Sequence, residues 1–206
     1  MAAIVNRRRV MGSGLPFGAK QIAHLESTGT QWIDTGYVPK GNTELEIRYS
    51  VTKLPSSLSQ GVIPYGCRVG YKNQQYNIYS PVNRQDQCHV CYSNSDFYFT
   101  KAVLNQTILV HANGPEVNFG GTTCTFNPGR LPNLNIYLFG MNNNGTFGSG
   151  VNLKLKIDYF WIKEDGQLIL DMIPSRIDQV GYMYDKVSGR LFGNRGSDAF
   201  ILGPDV

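Results

Sequence analysis

The clearest feature of the chain is strict alternation of apolar and polar positions. Over residues 43–53, Leu45, Ile47, Tyr49 and Val51 alternate with Glu44, Glu46, Arg48 and Ser50. That is the period of a strand with one face on a core and the other toward water. Residues 151–162 repeat the pattern. Val151, Leu153, Leu155, Ile157, Tyr159 and Trp161 fall on one side, opposite Asn152, Lys154, Lys156 and Asp158. Asp165-Gly166 follows, and Asp-Gly between two β-prone runs predicts a tight hairpin into residues 167–173. Pro174 is expected to end that strand.

A second hairpin is predicted from Tyr182–Asp185 through Ser188-Gly189 to Arg190–Phe192. Residues 61–71, 75–79, 87–92, 96–100, 107–111 and 135–141 read as short, aromatic-rich strands. Asn113-Gly114 and Asn142–Gly145 read as turns. No segment holds a 3.6-residue period beyond two turns. About ten to fourteen strands are too many for one open antiparallel sheet. The expected fold is therefore all-β, an antiparallel two-sheet sandwich of jelly-roll type. Leu45, Ile47, Tyr49, Leu153, Leu155 and Ile157 should be buried between the sheets.

Composition agrees with this picture. Of 206 residues only 17% are charged, while 23 are Gly, 12 Tyr and 10 Phe. A helical bundle would be rich in Ala, Glu, Lys and Leu, and a disordered chain would be poor in aromatics. The net charge of +4 lies entirely at one end: residues 1–20 hold Arg7, Arg8, Arg9 and Lys20 and no acid, and the remainder balances 15 basic against 15 acidic residues. The expected organisation is a basic, Gly-rich arm over residues 1–20 and a neutral sandwich over 21–206. A neutral body is not a nucleic-acid-binding domain, which carries its charge on a face. No apolar run approaches the ~20 residues of a membrane span. Arg7-Arg8-Arg9 precede a stretch broken by Gly and Pro rather than an apolar core of ~7–15 residues, so no secretory signal peptide is expected.

Candidate chemistry is sparse. Cys67, Cys88, Cys91 and Cys124 are too few to build a disulfide framework. Cys88 and Cys91 are formally C-x-x-C, but in a strand they point to opposite faces, and no second ligand pair lies nearby. His24, His89 and His111 stand apart. No metal and no cofactor are expected. Glu44 and Glu46 share a face, but Tyr stands at position 49, where a third acid would lie, and the neighbouring strands offer no other paired acids, so a paired-carboxylate mechanism is not expected and no residue is assigned as catalytic. Glu44 and Glu46 read as a solvated polar face. A sugar site is the better candidate: Tyr71, Asn73, Gln75, Tyr76 and Tyr79, with Trp32 as a further platform, offer flat rings beside amides.

Several stretches are similar to one family. They are residues 25–36 (LESTGTQWIDTG), 135–145, Asp165-Gly166, 171–176 (DMIPSR) and 181–194 (GYMYDKVSGRLFGN). They resemble a recurrent family of concanavalin A-like (laminin G-like) jelly-roll proteins encoded by gut Bacteroidetes and by their phages and prophages. The resemblance covers about residues 22–50 and 134–204. It implies the sandwich, but its motifs are turns and strand ends rather than chemistry. Together with the lack of an export signal, it leads to the expectation of a non-enzymatic, virion-associated structural or adhesive protein of a phage: a capsid decoration, head fibre or tail component. Such a protein would assemble in the host cytoplasm with other virion proteins and copies of itself, and would present a lectin-like sandwich to surface or mucosal glycans. The arm would be the assembly anchor, through Arg7, Arg8, Arg9, Val10, Leu15 and Phe17. The alternatives are a carbohydrate-binding module of a bacterial surface protein and, more remotely, a glycoside hydrolase.

Overall fold

The computed structural model describes residues 14–53, 61–82, 87–101, 103–148 and 154–206. Among these there is no helix. The strands in chain order are β1 (Ala19–Gln21), β2 (Leu25–Ser27), β3 (Ile33–Asp34), β4 (Thr43–Lys53), β5 (Tyr65–Gly70), β6 (Asn73–Val82), β7 (Gln87–Ser93), β8 (Ser95–Lys101), β9 (Thr107–Asn113) and β10 (Glu116–Phe119). They continue with β11 (Thr122–Thr125), β12 (Tyr137–Leu138), β13 (Met141–Asn143), β14 (Thr146–Gly148), β15 (Lys154–Glu164), β16 (Gln167–Ile177), β17 (Val180–Asp185), β18 (Arg190–Gly193) and β19 (Ile201–Leu202).

They form two sheets. The larger runs β11-β10-β9-β4-β15-β16-β17-β18, with β1, β2 and β19 attached; the smaller runs β14-β13-β5-β6-β7-β8, with β12 and β3 attached. Apart from the parallel pair β13–β5, the strand pairings are antiparallel. One apolar core is shared by both sheets: Leu45, Ile47, Tyr49, Val110, Phe160 and Met172 face Tyr65, Ile78, Cys88, Val90 and Tyr92. Tyr65 and Phe160 meet across it with ring centroids 6.2 Å apart. This is a β-sandwich arrangement, in which each sheet buries its apolar face on the other.

The register of β4 is the expected one, with Leu45, Ile47, Tyr49 and Val51 buried. Leu155 and Ile157 are buried as well, whereas Val151 and Leu153 lie outside the described residues. The second half of β15 departs from the simple alternation. Ile157 pairs with Tyr49 but Tyr159 pairs with Arg48, so Asp158 is an extra residue on β15. A bulge of this kind switches which side chains face inward. Phe160 and Ile162 therefore enter the core, and Tyr159 and Trp161 move to the outer face.

Pro174 does not end β16, which continues to Ile177. β15 pairs with β16 only as far as Met172, and β1 takes over from Ser175. The carbonyl of Pro174 accepts from the Ile22 N–H on that same side. The ring nitrogen thus falls at the fork between β15 and β1, where the missing N–H breaks no ladder bond. Residues 19–27 fill this fork, β1 on β16 and β2 on β15, and β19 closes over β2. Ala19 and Lys20, the last residues of the basic stretch, are thereby part of the larger sheet. The run 135–141 holds only the two-residue β12 before β13 begins, because Phe139 adopts φ +63° and breaks the strand. The turn at Asn142–Gly145 is formed, with the Asn142 side chain accepting from the Gly145 N–H at 2.8 Å.

Candidate functional site

The smaller sheet turns Tyr76, Ile78, Cys88, Val90 and Tyr92 inward. Alternation then places Gln75, Asn77 and Tyr79 of β6 and His89 and Cys91 of β7 on its outer face. The ladder aligns them in rows. Gly66, Asn77, Cys91 and Asp96 lie directly opposite one another across β5, β6, β7 and β8. Tyr79, His89 and Tyr98 form the next row, and Arg68 and Gln75 the row on the other side.

The face is polar but closely covered. Gln75, Asn77, His89 and Cys91 are 0–5% exposed. The His89 ring lies between Tyr98, stacked at 5.1 Å, and Tyr79, tilted at 4.8 Å. Arg68 donates to the Tyr79 hydroxyl at 2.7 Å and to the Asn143 side-chain oxygen at 2.8 Å. Gln75 Nε2 donates to Asp96 Oδ1 at 3.2 Å. Cys91 Sγ is 3.9 Å from His89 Nδ1.

Under this cover several polar atoms have no hydrogen-bond partner: Gln75 Oε1, both side-chain heteroatoms of Asn77, His89 Nε2 and Asp96 Oδ2. Buried polar groups are nearly always paired, and an unpaired one costs about 1–3 kcal/mol. Four residues of this one face, Gln75, Asn77, His89 and Asp96, carry such atoms. The electrostatics follow from burial. The Cys91 thiol is pushed well up, first by desolvation and then by the neighbouring Asp96 carboxylate. His89 is lowered by burial, with Asp96 opposing. The Tyr79 hydroxyl is pushed up to about 12 by burial, against the pull of Arg68.

Outside this buried layer two rings are free to meet a ligand. Tyr71, in the turn between β5 and β6, is 66% exposed, and Tyr98 is 53% exposed. Burial pushes the Tyr98 hydroxyl up, and the negative charge of Asp96 acts the same way. Exposed Asn73 and half-buried Arg68, Asp96 and Asn143 supply the polar ground around the two rings.

The residues expected to bind sugar are not one surface. Tyr71 and Asn73 are exposed, and Tyr79 is a half-buried wall of the site. Gln75 forms part of its covered floor. Tyr76 is a core residue, 2% exposed, facing Tyr65 and Tyr92 across centroid distances of 6.0 Å, and offers no platform. Trp32 lies at the β12 end of the same sheet, stacked on Tyr137, which pairs with Gly66, at 4.3 Å and on Phe147 at 5.3 Å. Residues 7–10 of the expected anchor lie outside the described residues. Leu15 is half-buried, and Phe17 is fully exposed in a turn closed by the Ala19 N–H on the Pro16 carbonyl. The Gly14 carbonyl accepts from the Tyr184 hydroxyl at 2.9 Å, so this end of the arm rests on its own sandwich.

Cys88 and Cys91 do face opposite ways, the first into the core and the second onto the outer face. The informative spacing was His89-x-Cys91, one residue apart on the same face, which the C-x-x-C reading passed over. Glu44 and Glu46 are more engaged than a solvated face: Glu46 accepts from Tyr159 at 2.7 Å and Trp161 at 3.2 Å, and Glu44 pairs with His111 at 3.1 Å.

Comparison with protein-family models gives no match, and comparison with curated protein sequences gives none either.

Proposed function

We propose that this chain is a non-enzymatic, glycan-recognising sandwich of concanavalin A-like jelly-roll type, carried on a phage particle as an adhesive or decorating component. The observation that carries the glycan reading is the pair of exposed rings, Tyr71 and Tyr98, beside Asn73, Asp96 and Arg68 on the outer face of the smaller sheet. A pyranose presents an apolar face for stacking on such rings and hydroxyls for the amide, carboxylate and guanidinium around them. The virion setting rests on the family resemblance of residues 22–50 and 134–204. The arm, with Phe17 as an exposed apolar anchor, is the segment that would dock on the particle.

The test is a glycan array followed by titration of the best ligand against variants of the two rings. Tyr71→Ala and Tyr98→Ala should each weaken binding about tenfold, the loss of roughly 1.4 kcal/mol typical of a truncated aromatic anchor. Leu109→Ala, at an exposed position of β9 in the larger sheet, should leave affinity unchanged. An array with no ligand, or Tyr variants that bind like the parent, would remove the glycan reading.

A further inference from the structure

We infer that the buried layer of the smaller sheet is a site for a transition-metal ion of zinc type, held by His89, Cys91 and Asp96 with Asn77 closing the set. The inference does not rest on glycan binding: it concerns the covered floor, although Asp96 borders both sites and the exposed Tyr98 ring stacks on His89.

The donor atoms of His89, Cys91 and Asp96 all lie within 4.8 Å of one another, with His89 Nδ1 and Cys91 Sγ 3.9 Å apart. Zinc bonds of about 2.0–2.3 Å in tetrahedral geometry put neighbouring donors roughly 3.3–3.8 Å apart. The three side chains need to draw together by at most about 1.5 Å to meet that spacing. One nitrogen, one sulfur and one carboxylate oxygen form a borderline-soft set suited to zinc rather than to calcium or magnesium.

Three independent features support an ion here rather than a fortuitous cluster. Asn77, 1% exposed, sits directly across from Cys91 on the same face and has no partner for either side-chain heteroatom. Its carbonyl oxygen is available as a fourth ligand. Asp96 is oriented from behind: Gln75 donates to Oδ1, which leaves Oδ2 unpaired. His89 is fixed between the rings of Tyr79 and Tyr98, and Tyr79 is in turn held by Arg68. Supporting contacts of this kind, which orient ligands before the ion arrives, distinguish built metal sites from chance clusters. Without an ion, this arrangement leaves buried amide and carboxylate atoms unsatisfied.

Binding converts the neutral Cys91 thiol to a metal thiolate and releases its proton to solvent.

The experiment titrates the untagged full chain with cobalt(II), then displaces it with zinc(II). The expected result is about one cobalt per chain, with a thiolate-to-cobalt charge-transfer band in the near ultraviolet that zinc abolishes. Cys91→Ser should lose the band, and His89→Gln and Asp96→Asn should each weaken affinity by about 10–100-fold. Cys124→Ser, at a distant thiol on β11, should keep the band. If Cys91→Ser does not fold, Asp96→Asn serves as the deciding variant, since Asp96 lies near the sheet edge. No charge-transfer band, a band that Cys91→Ser keeps or Cys124→Ser loses, or an Asp96→Asn protein that binds cobalt as tightly as the parent overturns the assignment. Glycan binding that survives in metal-free protein would leave the two proposals separate.

Discussion

Asp185→Ala should destabilise the fold by about 3–4 kcal/mol, among the largest effects a single surface-loop-adjacent residue can have. Asp185 is 0% exposed at the end of β17. Its Oδ1 accepts from the backbone N–H of Asp171 at 2.8 Å and of Val187 at 3.2 Å. Its Oδ2 accepts from the Ser188 N–H at 3.0 Å and from the Ser188 hydroxyl. One carboxylate thus closes the β17–β18 turn and ties it to β16. Alanine leaves three backbone donors without this acceptor in a place that water reaches poorly, and that desolvation cost exceeds the net worth of the bonds themselves. Asp185→Asn keeps one oxygen and should cost about half as much, because its amide nitrogen must face a donor. Urea unfolding measures both; the midpoint should fall with the slope unchanged, which marks a loss of stability rather than of compactness. A shift below about 1 kcal/mol for Ala would mean that the turn reorganises to satisfy itself.

Asp185 also shows what was legible in advance. The hairpin around Ser188-Gly189 was readable from its turn residues, and Gly189 takes φ +71° as such a turn requires. Asp165-Gly166 behaves likewise, with φ of +48° and +76°. The β4 register followed from alternation because one face is buried and the other wet. Where the expectation failed, a local irregularity intervened. Alternation lapses after Asp158, where Tyr159, Phe160, Trp161 and Ile162 are all apolar, so the period alone does not say which two turn inward past the bulge, and extending it puts Tyr159 and Trp161 on the wrong side. Pro174 was read as a strand end because the fork between β15 and β1, which makes its missing N–H harmless, is a long-range feature.

The site was legible only in part. Tyr71 lies just past β5 in the turn and Asn73 opens β6, and both are exposed there. Tyr76 did not separate from its neighbours, because in a stretch of Tyr, Asn and Gln both faces of the strand carry polar and aromatic groups. The constellation of Asn77, His89, Cys91 and Asp96 draws on three strands. The His-x-Cys spacing placed two members on one face. Asp96 joins them only through the β7–β8 register, which depends on the reversal at Ser93 and Asn94, and Ser93 adopts φ +54° against its usual preference.

Gly66→Ala should cost about 3 kcal/mol, at the upper end of overpacking penalties, and Gly66→Val more. Gly66 lies directly across from Asn77. A Cβ built there would stand 2.3 Å from the Asn77 Cβ and 3.1 Å from its Cα. Directly opposed residues normally keep their Cβ atoms about 4.5–5.5 Å apart. The close approach of β5 and β6 at this point therefore exists because position 66 has no side chain. The conflict is with backbone-proximal atoms, which cannot rotate away, so the two strands must separate where the candidate metal layer begins. The same reasoning gives a specific rescue. Asn77→Ala retains the offending Cβ and should not help, whereas Asn77→Gly removes it. In a double-mutant cycle, Gly66→Ala combined with Asn77→Gly should recover about 2 kcal/mol relative to the sum of the single changes, a coupling typical of residues in direct contact. Cobalt binding provides the second readout. Gly66→Ala should weaken it even where the protein remains folded, because forcing β5 and β6 apart displaces Asn77 from its place between Gly66 and Cys91. A Gly66→Ala protein with parental stability would show that β5 and β6 are not held at this distance.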